Sequence, residues 1–186
     1  LAPFTLVGAT TREGLLSGPF RSRFGLIERL EPYPDADIEA ILHRAAERLG
    51  FPIDADASTT LAARSRGVPR IALRIQRRAR DLAQVRGEDH ITRSLAIECM
   101  DRLGVDELGL ESSDRKLLKA LIERGEPVGL KTLAAIVDEA EDTVEDVFEP
   151  YLIRRGLLAR TPRGRVATGK ARTHLGMDPG ADPRGD

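Results

Sequence analysis

A chain of 186 residues with 41% hydrophobic side chains is long enough for one large domain, or for two to three small ones with buried cores. Its 32% charged and 4% aromatic residues, with no tryptophan, favour a helical protein over a β-sandwich. The single cysteine, Cys99, excludes a disulfide framework and a cysteine metal site and indicates a reducing compartment. The sequence has no apolar run of 18 residues, so it predicts no membrane-spanning helix.

The first part of the chain reads as part of a β-sheet. The apolar run at 4–8 predicts a buried strand, and the segment 26–33 predicts a second short strand. A buried strand of the parallel type is stable only beside neighbouring strands. We therefore expect the chain to be the C-terminal part of a longer protein, with the rest of the sheet upstream.

The segment GPFRSRFG, residues 18–25, lies between these predicted strands and carries Arg21 and Arg23. Residues at i and i+2 do not share a helix face, so this spacing argues against a helix. Pro19 and Gly25 flank the two arginines and predict a short, rigid segment that fixes where they point.

Four helical patterns follow and predict a four-helix unit. Thr92 is the predicted cap of the last helix, and Pro69 suits the first turn of the third. Cys99 falls on the apolar side of the last helix and reads as a core residue. The predicted helices cover 35–50, 54–67, 68–87 and 91–104, with buried stripes at Ile38, Ile41, Leu42, Ala45 and Leu49 in the first and at Ile71, Ile75, Ala79 and Leu82 in the third.

A linker at 105–113 leads to a second helical unit. Its three predicted helices precede the segment 157–168, which reads as strand, turn and strand, and this order is typical of a winged helix. Ser112 or Ser113 is the predicted cap of its first helix, and Pro150 is expected to kink the third. These helices cover 112–125, 129–140 and 142–156, and the apolar face of the third is Val144, Val147, Phe148, Tyr151 and Leu152.

Charge is segregated along the chain. The stretches 64–80 and 154–172 each carry seven basic residues and no acid, and 138–149 carries seven acids and no base. The second basic stretch coincides with the predicted wing, whose TPRGR turn is expected to direct Arg163 and Arg165 outward toward a phosphate backbone. Phosphates would repel the acidic helix, so we expect the wing to make the contact. The candidate DNA-contact residues are Arg160, Arg163 and Arg165.

Five motifs in order, FTLVGATTREGLLSGPFRSRFG, RSRGVPRIALRIQRRARDLAQVRG, GVDELGL, EPVGLKTLA and VFEPYLIRRGLLARTPRGRVAT, resemble the RuvB family. Its members are bacterial AAA+ ring ATPases that drive branch migration of Holliday junctions. The resemblance covers nearly all of 4–176. It implies a mainly α chain made of the C-terminal remnant of an α/β AAA+ core at 1–33, a helical lid at 34–106 and a winged helix at 107–176.

The resemblance implies two catalytic roles near the start of the chain. In GATTR, just past the predicted strand, Thr11 and its neighbour Thr10 match the sensor 1 position, where a hydroxyl orients the water that attacks a phosphate. Arg23 matches the arginine finger, which acts in trans on the nucleotide of the neighbouring subunit. Arginine suits this role because it stays charged and binds phosphate oxygens with a rigid fork. Arg21 is the supporting candidate.

The motif GVPRIA places Arg70, after Pro69, in the first turn of a helix, where a phosphate is favoured. The resemblance implies that this is sensor 2, acting on ATP bound by its own subunit. Val68 stands where the family pattern has threonine, which we expect to matter little because that side chain does not touch phosphate.

The chain contains no G-x-x-x-x-G-K-[ST] motif and no apolar strand ending in paired acids. In the family these lie upstream, so the Mg²⁺ ligands are expected there and this chain alone is not expected to hydrolyse ATP. The resemblance further implies duplex DNA at a four-way junction, a homo-oligomeric ring of six subunits, a RuvA-type junction-binding partner and the bacterial cytoplasm.

Two other interpretations remain open from the residues. One is a different AAA+ protein with a winged helix, such as a replication initiator or clamp-loader relative, and the other is a non-enzymatic winged-helix DNA-binding protein. The tail at 177–186 is expected to be disordered. The scattered histidines, His43, His90 and His174, have no ligand spacing and are expected at the surface.

Overall fold

The computed structural model describes residues 2–10 and 13–177, and the chain divides into two units between Glu31 and Pro32. In the first unit the two predicted strands, at 4–8 and 26–33, are absent from the described residues, so that prediction is wrong. The apolar side chains there are exposed, with Val7 87% and Leu30 94% accessible. A strand needs a partner for its backbone hydrogen bonds, and neither segment has one within this unit.

The first unit instead contains two short helical turns, a 3₁₀ turn at Glu13–Leu15 and α1 at Gly18–Arg21. The expectation that the second segment is not helical is therefore wrong. The Ser17 carbonyl accepts the N–H groups of Phe20 and Arg21, both at 3.0 Å, and Pro19 occupies the first turn, where its missing N–H costs nothing.

The second unit begins with the predicted four-helix unit, which is confirmed. Leu42, Leu61 and Met100 lie in its core with no exposed surface, whereas Leu49, predicted to be buried, is 42% exposed in the last turn of its helix. Cys99 is buried, and burial raises the pKa of its thiol. The helices are α2 at Asp35–Leu49, α3 at Ala55–Arg64, α4 at Pro69–Val85 and α5 at Arg93–Arg102, with Thr92 capping α5 as predicted.

A glycine fixes the start of α4. Gly67 has φ +71°, and a Cβ there would lie 2.6 Å from the carbonyl oxygen of Tyr33. The Gly67 carbonyl in turn accepts the Tyr33 N–H at 2.9 Å. Only glycine takes this conformation while another backbone segment lies so close, so Gly67 anchors the loop that leads into α4.

The predicted winged helix is also confirmed. Its core is built from leucines such as Leu117, Leu133 and Leu152, none of them exposed. The hairpin is antiparallel and pairs Arg160 with Arg165, and Val128 adds two backbone hydrogen bonds to Arg165. The elements are α6 at Ser112–Arg124, α7 at Leu130–Val137, α8 at Glu141–Thr143, a π-helical segment at Val144–Phe148, α9 at Glu149–Arg154, β1 at Leu158–Thr161, β2 at Gly164–Ala167 and α10 at Gly169–His174.

Details of the winged helix differ from the predictions. Glu111 caps α6 in a reciprocal capping box with Asp114, so the prediction of Ser112 or Ser113 is wrong. A π-helical segment ends at Phe148, two residues before Pro150, and α9 begins at Glu149. Proline has no N–H with which to continue the ladder of hydrogen bonds, and the kink expected at Pro150 stays a prediction. Helix α10 was not predicted. Most of the predicted disordered tail, 178–186, lies outside the described residues.

A buried ion pair joins the four-helix unit to the winged helix. The guanidinium of Arg66, in the loop after α3, pairs with Asp114 in the first turn of α6. Its Nε donates to the carbonyl of Gly109 at 2.9 Å, and its Cζ lies over the Tyr151 ring, 4.7 Å from the ring centroid. The Tyr151 hydroxyl donates to the Leu108 carbonyl at 2.5 Å. The Asp114 side chain is fully buried, so its charge depends on Arg66 for compensation.

Replacing Arg66 by glutamine is expected to cost about 3–5 kcal/mol of unfolding free energy at neutral pH, because it leaves a buried carboxylate without a counter-charge. Burial raises the pKa of Asp114, and Arg66 opposes that shift. In Arg66→Gln the folded chain therefore takes up a proton at a pH where the unfolded chain is still ionised. The stability deficit should narrow as the pH falls from 7 toward 5.

Chemical denaturation of the variant and the parent chain at several pH values measures this difference. Arg74→Gln is the matched control, since Arg74 makes an exposed 3.8 Å pair with Glu111 across the same boundary and should lose little stability at any pH. A deficit for Arg66→Gln that stays constant with pH would contradict the role assigned to the Asp114 charge.

Candidate nucleotide and DNA contact residues

The segment that carries Arg23 is held in place by an aromatic pair. Phe20 and Phe24 meet edge to face with ring centroids 5.3 Å apart. The ring of Phe24 also lies beside Gly8, where a Cβ would be 3.6 Å from its edge. The residues before the GATTR threonines and the arginine segment are therefore neighbours within the first unit. Thr10 is exposed, and Thr11 lies outside the described residues.

The structure separates the two arginines of this segment. Arg21 is half-buried at the end of α1, whereas Arg23 follows the helix and is exposed. The Arg23 N–H donates to the Phe20 carbonyl at 3.3 Å, which fixes its backbone. Within the described ranges, no ion pair or side-chain hydrogen bond engages the Arg23 guanidinium. Gly25 has ordinary backbone and open space around it, so the expected constraint comes from Pro19 and the two rings instead.

Arg70 lies in the first turn of α4, directly after Pro69. Its side chain is exposed, and none of the described residues forms an ion pair with it. The Val68 carbonyl accepts the N–H groups of Ile71 and Ala72, at 3.0 and 3.1 Å. The first turn of a 17-residue helix and an uncompensated guanidinium both favour an anion at this end.

The three candidate arginines of the wing have different surroundings. Arg163 is exposed in the hairpin turn and has no ion pair with any described residue. Arg160 and Arg165 each donate from Nε to Glu149 at 2.6 Å. Glu149 is fully buried and Arg165 only 15% exposed, so the expectation that Arg165 points outward is wrong. The cause is the hairpin register, which places Arg160 and Arg165 directly opposite each other over α9.

The acidic segment 138–149 is therefore partly compensated inside the winged helix. Besides Glu149, Glu145 lies 3.3 Å from Arg160 and 3.7 Å from Arg165. Sequence reasoning treated the acidic and basic stretches as separate surfaces. Their adjacency along the chain, with opposite charge, was the signal that could have shown them to be partners.

The histidines give one correction. His174, expected at the surface, is 11% exposed, and its Nε2 lies 2.9 Å from a carboxylate oxygen of Asp106. His43 and His90 are more exposed, and the hydrogen bond to Asp89 raises the pKa of His90. Among the described residues, no group of histidine, cysteine and acidic side chains is arranged to hold a metal ion. No helix in the described ranges has the length and apolar character needed to cross a membrane.

Three family models match successive parts of the chain. They are the Holliday junction DNA helicase RuvB P-loop domain at residues 1–30, the RuvB AAA lid domain at 33–106 and the RuvB C-terminal winged helix domain at 107–176. All three belong to RuvB, which favours it over the replication initiator, clamp-loader and regulator alternatives.

Curated relatives and solved structures agree with these matches. The Holliday junction branch migration complex subunit RuvB of Myxococcus xanthus is 52% identical over 187 residues, covering 100% of this chain and 54% of the relative. The Salinispora arenicola protein of the same name is 56% identical over 179 residues, covering 95% and 51%. The chain thus spans about half the length of the curated relatives it matches.

The structure of the Thermotoga maritima RuvB Holliday junction branch migration motor superposes with a TM-score of 0.89 at 48% identity. The match covers 95% of this chain and 60% of that one. Sequence, family models and fold therefore lead to one conclusion: the chain belongs to the RuvB family.

Proposed function

We propose that this chain acts in an ATP-driven DNA motor that moves the branch point of Holliday junctions during recombination and repair. The observation that carries the proposal is its agreement, at 52–56% identity along almost its whole length, with subunits named for that complex. A RuvA-type protein would bind the junction beside it. The subunits would form a ring, with six as the expected number, in the bacterial cytoplasm.

Arg70 and Pro69 form the proposed sensor 2. Arg70 is exposed at the start of a long helix with no acidic partner among the described residues, and this suits the phosphate chain of ATP. Bound ATP would supply the phosphoryl group, whose transfer to water would release the energy for movement. The phosphate loop and the Mg²⁺ ligands would come from the region of the RuvB relatives that this chain does not span.

Arg23 is the proposed arginine finger, supplied to the nucleotide of a neighbouring subunit. The aromatic pair holds its backbone, and its guanidinium is exposed without an internal partner in the described ranges. Arg21, half-buried, would support the segment. Thr11, with Thr10 beside it, is the proposed sensor 1 hydroxyl that orients the attacking water.

The wing is the proposed DNA contact. Arg163 would meet the phosphate backbone directly, because it is the exposed arginine of the turn. Arg160, with 48% of its side chain exposed, would contribute from the edge of its salt bridge. Arg165, paired with buried Glu149, would mainly set the position of the hairpin.

In the full-length protein, Arg23→Ala should lower ATP turnover by about 10³-fold or more, because it removes the charge that stabilises the transferring phosphoryl group. Nucleotide binding should change little. Steady-state hydrolysis and nucleotide titration separate the two effects. Arg29→Ala is the control, since Arg29 is another exposed arginine of the same unit. Turnover near that of the control would refute the finger role.

A mixing experiment tests whether Arg23 acts across subunits. Rings assembled from Arg23→Ala subunits and phosphate-loop mutant subunits should regain part of the activity, because some interfaces then combine an intact finger with an intact nucleotide site. Activity is measured as a function of the mixing ratio. If no ratio restores turnover, Arg23 serves its own subunit.

Arg163→Ala should weaken DNA binding and reduce the slope of log affinity against log salt by about one ion, whatever the DNA sequence. Binding titrations at several salt concentrations give the slope. Arg124→Ala is the matched control, because it removes an exposed arginine from the end of α6. An unchanged slope for Arg163→Ala would show that the turn does not meet phosphate.

A further inference from the structure

We propose that Arg66 is a positioning residue that holds the winged helix in a fixed orientation against the lid. When the lid moves at Arg70, the wing then moves with it as part of one rigid body. The proposal rests on the proposed motor function for its consequence. The rigid joint itself is a property of the chain alone. The lid means residues 33–106 and the joint means the contacts of Arg66 with the winged helix.

Arg66 lies four residues before Arg70, in the short loop between α3 and α4. Its φ is +62°, and the next residue, Gly67, has φ +71°. A long side chain adopts left-handed backbone only where its surroundings hold it there. The loop therefore has a defined shape, and it leads directly into the first turn of α4.

Both ends of Arg66 contact the winged helix. Its two terminal nitrogens face the two carboxylate oxygens of Asp114, and Nε donates to Gly109. Its own carbonyl accepts a hydrogen bond from Arg154 at 2.9 Å. The Arg154 guanidinium also lies over the Tyr151 ring, with Cζ 5.3 Å from the ring centroid. A planar fork with several partners fixes orientation as well as distance.

The backbone of the linker between the two domains also packs closely against the lid, at Gly109. Gly109 has φ +73°, and a Cβ there would lie 2.7 Å from the Arg64 carbonyl oxygen. The Leu108 carbonyl is held by the Tyr151 hydroxyl. Residues 108 and 109 of the linker are therefore held by contacts on both sides. This part of the linker is packed and does not form a flexible hinge between the two domains.

Helix α9 connects the joint to the wing. Tyr151 belongs to α9, and Glu149, two residues earlier on the same helix, is the buried carboxylate held by Arg160 and Arg165. The path from Arg70 to the hairpin thus runs along the backbone to Arg66, across its contact with Tyr151, along α9 to Glu149 and through the salt bridges of Glu149. Other contacts also cross the boundary: His174 of α10 lies 2.9 Å from Asp106 at the end of the lid, and Arg74 makes an exposed 3.8 Å pair with Glu111. Neither of these involves α9, the helix that carries Tyr151 and Glu149.

The joint is tested first in the full chain by measuring the distance between two spin labels. Gln84→Cys on α4 and Lys119→Cys on α6, both exposed positions, carry the labels, with the buried Cys99 replaced by alanine. The distance distribution of the parent chain should be narrow. Arg66→Gln should broaden it about two-fold or more, whereas Arg74→Gln should leave it unchanged.

Arg66→Gln leaves a buried charge and so risks misfolding. The double variant Arg66→Gln with Asp114→Asn removes both charges, and asparagine keeps the oxygen that accepts the Glu111 N–H. It should recover stability and still give a broad distribution. A broad distribution in the parent chain, or a narrow one in the well-folded double variant, would overturn the proposal.

The consequence is tested in the full-length protein with junction DNA. The double variant should keep ATP turnover and DNA affinity within about two-fold of the parent while the branch migration achieved per ATP falls about five-fold or more. A merely structural role would lower all three quantities together, which would overturn the coupling role. If the parent protein neither hydrolyses ATP nor moves junctions, the motor function fails, and the spin-label result still decides the joint.

Discussion

Much of this structure depends on the compensation of one buried carboxylate by a guanidinium that arrives from 48 residues away in the sequence. Asp114 accepts the Glu111 N–H and so closes the start of α6, and it also receives Arg66 from the lid. An isolated carboxylate in this position would be strongly unfavourable. The same carboxylate therefore stabilises both the start of α6 and the attachment of the winged helix to the lid.

The same arrangement occurs again beneath the wing. Glu149, like Asp114, has no exposed side-chain surface and is compensated by arginines from another element, here the hairpin that follows its helix. Each basic stretch thus contains two kinds of arginine, those in internal salt bridges and those that stay exposed. Arg66 and Arg165 hold domains and elements together, while Arg70 and Arg163 stay exposed where a phosphate can reach them. A net charge of −1 conceals this division, because the charges balance in specific pairs.

The sequence was sufficient for features that depend on local spacing. The helices of the lid follow from apolar residues at helical intervals, and the hairpin follows from its turn. The sequence was insufficient for features that depend on pairing between residues far apart in the chain. The segments at 4–8 and 26–33 have the composition of strands and form none, because strand formation needs a partner. From the sequence, Arg66 was one member of a basic stretch. No local pattern predicts that it pairs with Asp114.

Exposure at the candidate site was predictable only in part. Arg23 and Arg70 were found through motifs and are exposed. For the wing, the TPRGR turn was expected to direct both Arg163 and Arg165 outward. Cross-strand register instead groups Arg165 with Arg160 over the acidic helix, and register depends on where the turn falls.

The position of Tyr151 gives the joint an optical signature. The chain has no tryptophan and two tyrosines, Tyr33 and Tyr151, so emission excited at wavelengths that phenylalanine does not absorb comes from these two side chains. Three guanidinium groups lie within 5.9 Å of the ring centroid of Tyr151, and burial raises the pKa of its hydroxyl. Loosening the attachment of the two domains would change the polarity around this ring. The native chain therefore carries a spectroscopic reporter at its central contact, with no label required.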